Sequence, residues 1–402
     1  MKRVAIVGGG AAGFFCAIQL AQRQPTYKIT IFERGSQVLE KVKISGGGRC
    51  NLTHRALEIK DFVEFYPRGK KELYPCFTRF GAADTFEWFE KKGVRLKTEN
   101  DGRVFPVTDS SQTIIDCLVS QVSKLGVQIK TSQRIDHFSK SDSKWILTLG
   151  QEQLAFDILI LTPGSSTAIW KILHELGHTI VTPVPSLFTF NIKNPLIAQL
   201  PGLVLPNVSV KIRETKYVQK GPLLITHWGL SGPAILKLSA VAARELADMQ
   251  YKFQIDVNIS GMKHAEQAFE FLQTHKYSAS KKQIYVDKPL VVPYRFWDSL
   301  LKYLQIPEKN WADTTKSELQ ILAKAFVQLT MEVSGKSSNK DEFVTAGGVH
   351  LKEVDFKTME SKLHPNLYFA GEVLNIDALT GGFNFQAAWT TAWIAAQGIG
   401  NE

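Results

Sequence analysis

Short apolar runs and longer amphipathic stretches take turns along this chain, and their order predicts an α/β fold. Lys2 to Val7 reads KRVAIV, a basic start and then a strand-like apolar run, which breaks into Gly8-Gly9-Gly10-Ala11-Ala12-Gly13. Phe14 to Ala21 (FFCAIQLA) has helical composition, and Lys28 to Phe32 (KITIF) predicts a second strand ending on Glu33. The order is strand, glycine turn, helix, strand, acid. Each part serves dinucleotide binding. Gly8 allows the tight turn, Gly10 lets the backbone approach a pyrophosphate, and Gly13 lets the helix pack on the strand. The helix N-terminus aims free N–H groups and partial positive charge at phosphate. Glu33 stands twenty residues past Gly13, where a carboxylate can accept hydrogen bonds from a ribose. The competing reading is a glycine turn in an ordinary βαβ unit. The acid at this spacing argues for the dinucleotide.

Residues 61–99 read as helical and polar, with Phe80, Phe86, Trp88 and Phe89 as core or interhelix contacts. Ser111 to Gly126 carries apolar residues at helical spacing and stops at glycine. Val127–Lys130 and Trp145–Leu149 predict strands. Phe156 to Leu161 predicts a buried parallel strand that turns at Thr162-Pro163-Gly164. Thr182-Pro183-Val184-Pro185 reads as a linker. From Leu187 to about Ile259 the apolar positions alternate (Phe188, Phe190, Ile192; Val208, Val210, Ile212), which predicts an antiparallel sheet or small barrel. Residues 262–275, 296–304 and 317–330 read as helices, and Lys276 to Lys288 as an exposed basic stretch. The chain then returns to strand, glycine and acid at Asn366–Val373, and Thr380–Gln386 opens a final helix from Ala387 to Ala396. The expected domains are a nucleotide-binding part at 1–186, an inserted barrel at 187–261 with flanking strands, a helical subdomain at 262–340, and a nucleotide-binding return at 341–402.

Composition narrows the class. The 402 residues are 44% hydrophobic and 21% charged, ordinary for a globular chain with a large core. A net charge of +10 and a pI near 9.2 favour anionic partners, but the basic residues are scattered, so solubility outweighs nucleic-acid binding. The four cysteines form no CxxC pair, which indicates neither a zinc site nor a disulfide framework and fits a reducing cytoplasm. The basic, apolar N-terminus resembles a signal peptide only superficially, because glycines interrupt it and no cleavage site follows. No apolar stretch is long enough for a membrane span.

Candidate chemistry gathers at the glycine-rich segments. Ser45-Gly46-Gly47-Gly48-Arg49-Cys50-Asn51 suggests a ligand running beyond the first phosphate site, with Arg49 able to pair with phosphate or a flavin edge. The position five past Cys50 is Arg55, which excludes the two-cysteine disulfide of flavin disulfide reductases and leaves Cys50 as a packing residue. Together GGGAAG with Glu33, SGGGRCN at 45–51, GRVFP at 102–106, THWGLSGPAIL at 226–236, VTAGGV at 344–349 and FAGEVLNIDALTGGFNFQAA at 369–388 resemble the aminoacetone oxidase/BaiN group of FAD-dependent oxidoreductases over the full length.

The resemblance implies a Rossmann-like FAD-binding fold of the two-dinucleotide-binding-domain type, with an inserted antiparallel β-barrel and a small helical subdomain. It implies bound FAD lined by Gly8, Gly10, Ala12, Gly13, Glu33, Arg34, Ser45, Gly46, Gly47, Arg49, Cys50 and Asn51. The rest of that lining would be Thr162, Gly164, Gly371, Glu372, Asp377, Gly382, Phe383 and Asn384. Four positions depart from the group's usual pattern. Asn375 stands for an acid, Ala378 for a glycine, Phe383 for a tyrosine, and Thr162-Pro163-Gly164 for Thr-Gly-Gly.

The expected activity is hydride transfer through flavin N5, with NAD(P)H reducing a small unsaturated or carbonyl-conjugated substrate. An oxygen-using oxidase of a small amine or amino ketone is the alternative enzyme. No second GxGxxG follows a strand, which tilts toward the oxidase or toward a nicotinamide that docks only transiently. An RNA-binding or RNA-modifying flavoprotein is the alternative from another class, motivated by the charge. His227, in a loop beside glycines and Trp228, is the candidate general acid or base. No metal site is expected.

Overall fold

The computed structural model describes residues 1–337 and 344–400. The expected boundary at 340/341 lies outside the described residues. The chain divides into two compact units, Met1–Val184 with Lys340–Glu402, and Pro185–Asn339.

The first unit is built on a seven-stranded sheet. Leu367–Phe369, Ile158–Leu161, Arg3–Val7, Lys28–Phe32 and Gln128–Lys130 run parallel in that spatial order. Val354–Asp355 and Glu360–Ser361 extend the Leu367 edge in antiparallel sense. Ile158–Leu161 is buried throughout, and Arg3–Val7 after its first residue, as continuous apolar runs in a parallel sheet should be. Helix Ala11–Arg23 is buried from Ala12 to Ala21 and packs against the final helix, Phe383–Gly398. An aromatic cluster locks this contact. Phe15 lies 4.8 Å from Trp88 and 5.4 Å from Trp389, centroid to centroid. Offset and edge-on aromatic pairs of this kind add roughly 0.5–1.5 kcal/mol beyond area burial.

Two expectations about this unit need correction. The segment read as a linker is a strand, Ile180–Ser186, paired with Val344–Val349. Pro183 and Pro185 are two residues apart, so both missing N–H groups fall on one side of the strand and the other side remains free to pair. The last helix starts at Phe383, a turn earlier than Ala387, because Gly382 rather than Gln386 ends the loop.

The second unit carries an antiparallel seven-stranded sheet. Its order is Leu329–Val333, Phe253–Asn258, Val204–Ile212, Val218–Ile225, Gly229–Ser231, Thr189–Asn191 and Gly335–Ser337. Among the described residues no ladder joins the two edge strands, so the expected closed barrel is an open sheet. Both edges belong to one segment that changes partner at Ser334, whose N–H donates to Asn191 O at 2.9 Å. Leu205, Leu223, Ile225, Val257 and Met331 are buried and line one small cavity with Phe296 of helix Tyr294–Tyr303. Further helices are Pro233–Val241, Ala243–Asp248, Ala265–Ser278 and Lys316–Val327. Residues 329 and 330, expected to end a helix, begin an edge strand instead.

Candidate functional site

Four turns converge at the carboxyl ends of neighbouring parallel strands in the first unit, where open α/β sheets bind ligands. They carry Gly8–Gly13, Glu33, Thr162–Gly164 and Gly371-Glu372.

The glycine turn is shaped by two close approaches and one opening. Gly8 has φ +112°, and a Cβ there would lie 2.3 Å from Thr162 O. A Cβ on Gly13 would lie 2.0 Å from Gly8 O. A Cβ on Gly10, the residue that begins helix Ala11–Arg23, would meet nothing within 4 Å. So Gly8 and Gly13 serve packing, and Gly10 leaves free space at a helix N-terminus. Thr162 Oγ1 donates to Gly8 O at 2.9 Å and ties the turn to the next strand end. Glu33 braces it from the other side. Its two carboxylate oxygens accept from the N–H groups of Gly9 and Gly35, each at 2.8 Å. Each oxygen keeps a second lone pair for a ribose hydroxyl. Arg34 beside it is exposed.

The second loop follows the short helix at Glu40. The backbone is left-handed at Gly46, Gly47, Gly48 and Cys50. Ser45 holds the loop at both ends, with its Oγ donating to Val42 O at 2.8 Å and its carbonyl accepting from Cys50 N–H at 3.0 Å. A Cβ on Gly47 would again meet nothing within 4 Å. Cys50 is fully buried, and burial pushes its thiol up to about 12. It is a packing residue and not a nucleophile at neutral pH. Arg49 stacks 4.0 Å over the Phe105 ring and pairs with Glu99 at 2.7 Å and Asp109 at 3.4 Å. The Asn51 side-chain amide, oriented by its neighbours, donates to Thr53 O at 3.1 Å and accepts from Gly382 N–H at 3.0 Å.

Asn51 thus links the second loop to the segment before the last helix. There Asn384 closes a small loop by accepting from Ala378 N–H at 2.9 Å and donating to Ala378 O at 3.1 Å. The Phe383 ring lies 4.1 Å from Phe65 and 4.8 Å from His54, stacked on both. Tyr66 Oη donates to Phe383 O at 2.6 Å. Asp377 is fully buried and forms a two-pronged ion pair with Arg68. At the remaining strand end Glu372 bonds Lys41 at 2.7 Å and accepts from Thr345 N–H at 3.1 Å. A Cβ on Gly164 would lie 3.5 Å from that same carboxylate, and Gly371 packs on Ala12.

The first unit therefore holds every residue expected to line the cofactor. His227 is in the second unit, on an exposed turn held by Thr226, whose Oγ1 accepts from Gly229 N–H at 3.2 Å. Its neighbour Trp228 is 70% exposed. Three contributors carried no local signal: Lys41, Arg68 and Thr53 Oγ1, which donates to Gln386 at 2.6 Å. Their partners lie more than 300 residues away in sequence.

Among the described residues no helix is long and apolar enough to cross a membrane. A family model described as HI0933-like protein Rossmann domain matches residues 2–398. The chain is 27% identical over 406 residues to a ribosomal RNA dihydrouridine synthase of Escherichia coli (strain K12), covering 98% of this chain and 97% of the relative. It is 25% identical over 411 residues to a 3-dehydro-bile acid delta(4,6)-reductase of Clostridium scindens, covering 99% and 98%. In fold it is similar to the crystal structure of a 3-ketosteroid-delta4-(5alpha)-dehydrogenase from Rhodococcus jostii RHA1, with a TM-score of 0.50, 11% identity and coverage of 98% and 97%.

Proposed function

This chain belongs to the HI0933-like family of Rossmann-fold FAD-dependent oxidoreductases, and from that premise we propose that it reduces a carbon–carbon double bond conjugated to a carbonyl, with NAD(P)H as hydride source. One observation carries the reading: two relatives matched over nearly their whole length are named for that one bond change. A dihydrouridine synthase saturates a uracil ring, and a delta(4,6)-reductase of a 3-dehydro-bile acid saturates a steroid ketone's conjugated bonds.

The residues present fit FAD. Gly10 and Gly47 leave open backbone where a phosphate chain needs close approach, while Gly8 and Gly13 are packed shut. FAD, when bound, supplies the hydride-transfer chemistry that side chains lack. This chain's residues supply the rest. The N-terminus of helix Ala11–Arg23 offers N–H donors and positive potential to the pyrophosphate. Glu33 and Glu372 offer acceptors to the sugar-like parts. His227 is proposed to give the proton to the carbon beside the carbonyl. His227→Ala is expected to slow turnover and leave FAD bound; unchanged turnover removes it.

Between the two acceptors, the charge distribution favours uracil in RNA. Pro185–Asn339 carries 19 Lys and Arg against 12 Asp and Glu, whereas the remainder carries 29 against 26. The smaller unit thus bears +7 of the +10, as a polyanion's partner would. The test is anaerobic turnover with NADH and with NADPH, using a uridine-containing RNA in one arm and a dienone steroid in the other. Product and oxidised nicotinamide formed in equal amounts in either arm support the reductase. Oxidised nicotinamide above the acceptor-free control in neither arm, with either donor, refutes it, and hydrogen peroxide from an amine in air would then point to the oxidase.

A further inference from the structure

The segment 279–293 joins helix Ala265–Ser278 to helix Tyr294–Tyr303 without regular structure, yet it is pinned along its length. Trp297 Nε1 donates to Ile284 O at 2.7 Å, and Trp311 Nε1 to Asp287 O at 3.3 Å. Tyr285 Oη donates to Ile306 O at 2.9 Å, and Ile284 N–H to Lys309 O at 2.9 Å. Asp287 takes Lys282 at 2.8 Å and His275 at 2.5 Å. Ile284, Tyr285 and Val292 point inward and are buried.

The outward side chains are of a different kind. Val291 is 88% exposed, Tyr277 79% and Val286 66%, and Tyr294 is half exposed. Lys281 and Lys288 are exposed between them, and among the described residues neither makes an ion pair. Residues 276–295 hold five basic side chains against one acidic. A rigid loop that shows isolated apolar and aromatic groups among unpaired lysines gains nothing for folding from that display. Lysines can follow a phosphate backbone while aromatic rings stack bases, which is how single strands are held without strict sequence preference. A uracil must leave its stack before an enzyme can reach it, so a single-strand platform suits such a substrate.

We propose that this loop, with Tyr277 and Tyr294 at its ends, is the surface on which the second unit docks single-stranded RNA. The proposal rests on the reading of the substrate as uracil in RNA. Its test needs no turnover, so the two can fail separately. Binding of a fluorescein-labelled 20-nucleotide RNA to the FAD-loaded protein is followed by anisotropy across a salt series. Lys281→Gln/Lys288→Gln is expected to weaken binding at least about tenfold at low salt and to flatten the plot of log affinity against log salt by about 1.4, for two lost phosphate contacts. Tyr277→Ala is expected to weaken binding at every salt concentration and leave the slope unchanged. Circular dichroism and FAD content should match wild type in both. Wild-type protein that fails to bind the RNA, or a double-lysine variant with wild-type affinity and slope, overturns the proposal. Co-sedimentation with phosphatidylglycerol vesicles in place of RNA binding would also overturn it and make the surface a membrane contact.

Discussion

Gly10 and Gly13 sit in one turn yet ask for glycine for opposite reasons, and alanine at each position separates them. At Gly10 φ is −91° and ψ −167°, extended backbone that alanine adopts without strain. Its new methyl would meet no protein atom within 4 Å. The folded protein should lose only about 1 kcal/mol, the difference between glycine and alanine at a helix N-cap. The methyl would, however, stand in the space left for the pyrophosphate. Losing one or two backbone hydrogen bonds to that anion costs roughly 1–3 kcal/mol each, or about 5- to 150-fold in affinity per bond. At Gly13 the methyl would lie 2.0 Å from Gly8 O and 2.8 Å from Thr162 Oγ1. Backbone must shift there, an overpacking cost of about 1–3 kcal/mol or more. Calorimetric FAD titration of the deflavinated proteins, with urea unfolding alongside, reads both quantities. Gly10→Ala should unfold near wild type and bind FAD weakly, whereas Gly13→Ala should be destabilised even without FAD. A Gly10→Ala protein with wild-type FAD affinity would refute this assignment of the open space.

Arg68→Met strands the buried Asp377 carboxylate and should cost about 3–5 kcal/mol in urea unfolding of the first unit; a loss below about 1 kcal/mol would contradict the pair's burial. His178, buried with Glu353 at 2.9 Å and Ser361 at 3.0 Å on its two ring nitrogens, titrates below the ordinary histidine value, because burial outweighs the help of Glu353. The unfolded chain therefore takes up the proton first, so the contribution of His178 to stability is present above about pH 6.5 and is lost as pH falls below it. His178→Gln should flatten the urea midpoint over that window, and an unchanged pH profile would exclude the mechanism. Cys16, Cys50 and Cys76 are buried with thiols pushed up to about 12, so a disulfide reagent at neutral pH should leave them unmodified until the protein unfolds. Rapid labelling of Cys50 in the native protein would return it to the list of reactive groups.

The first βαβ unit was legible because its signals are local. Gly8, Gly10, Gly13 and Glu33 fall within 26 residues, and their roles follow from spacing. What the spacing left open was the Glu33 carboxylate's partners, and the fold adds two backbone donors to the expected ribose. Arg49 shows the limit more plainly. A lone arginine beside glycines suggests phosphate, but the Glu99 and Asp109 that engage it are supplied by chain 50 and 60 residues on. Arg68–Asp377 spans 309 residues and left no trace in either local sequence. The barrel expectation erred for a similar reason. Alternation reveals strands, whereas closure depends on how one segment bends at Ser334 to serve both edges.

Flavin reduction by a nicotinamide can be read from the visible spectrum of the purified protein during anaerobic titration with NADH or NADPH. Flavin bands should bleach with about one equivalent of one of these donors per flavin and return when a conjugated acceptor is added. A protein that binds no FAD, or flavin bands that persist in excess of both donors, would rule out a nicotinamide-dependent flavin reductase.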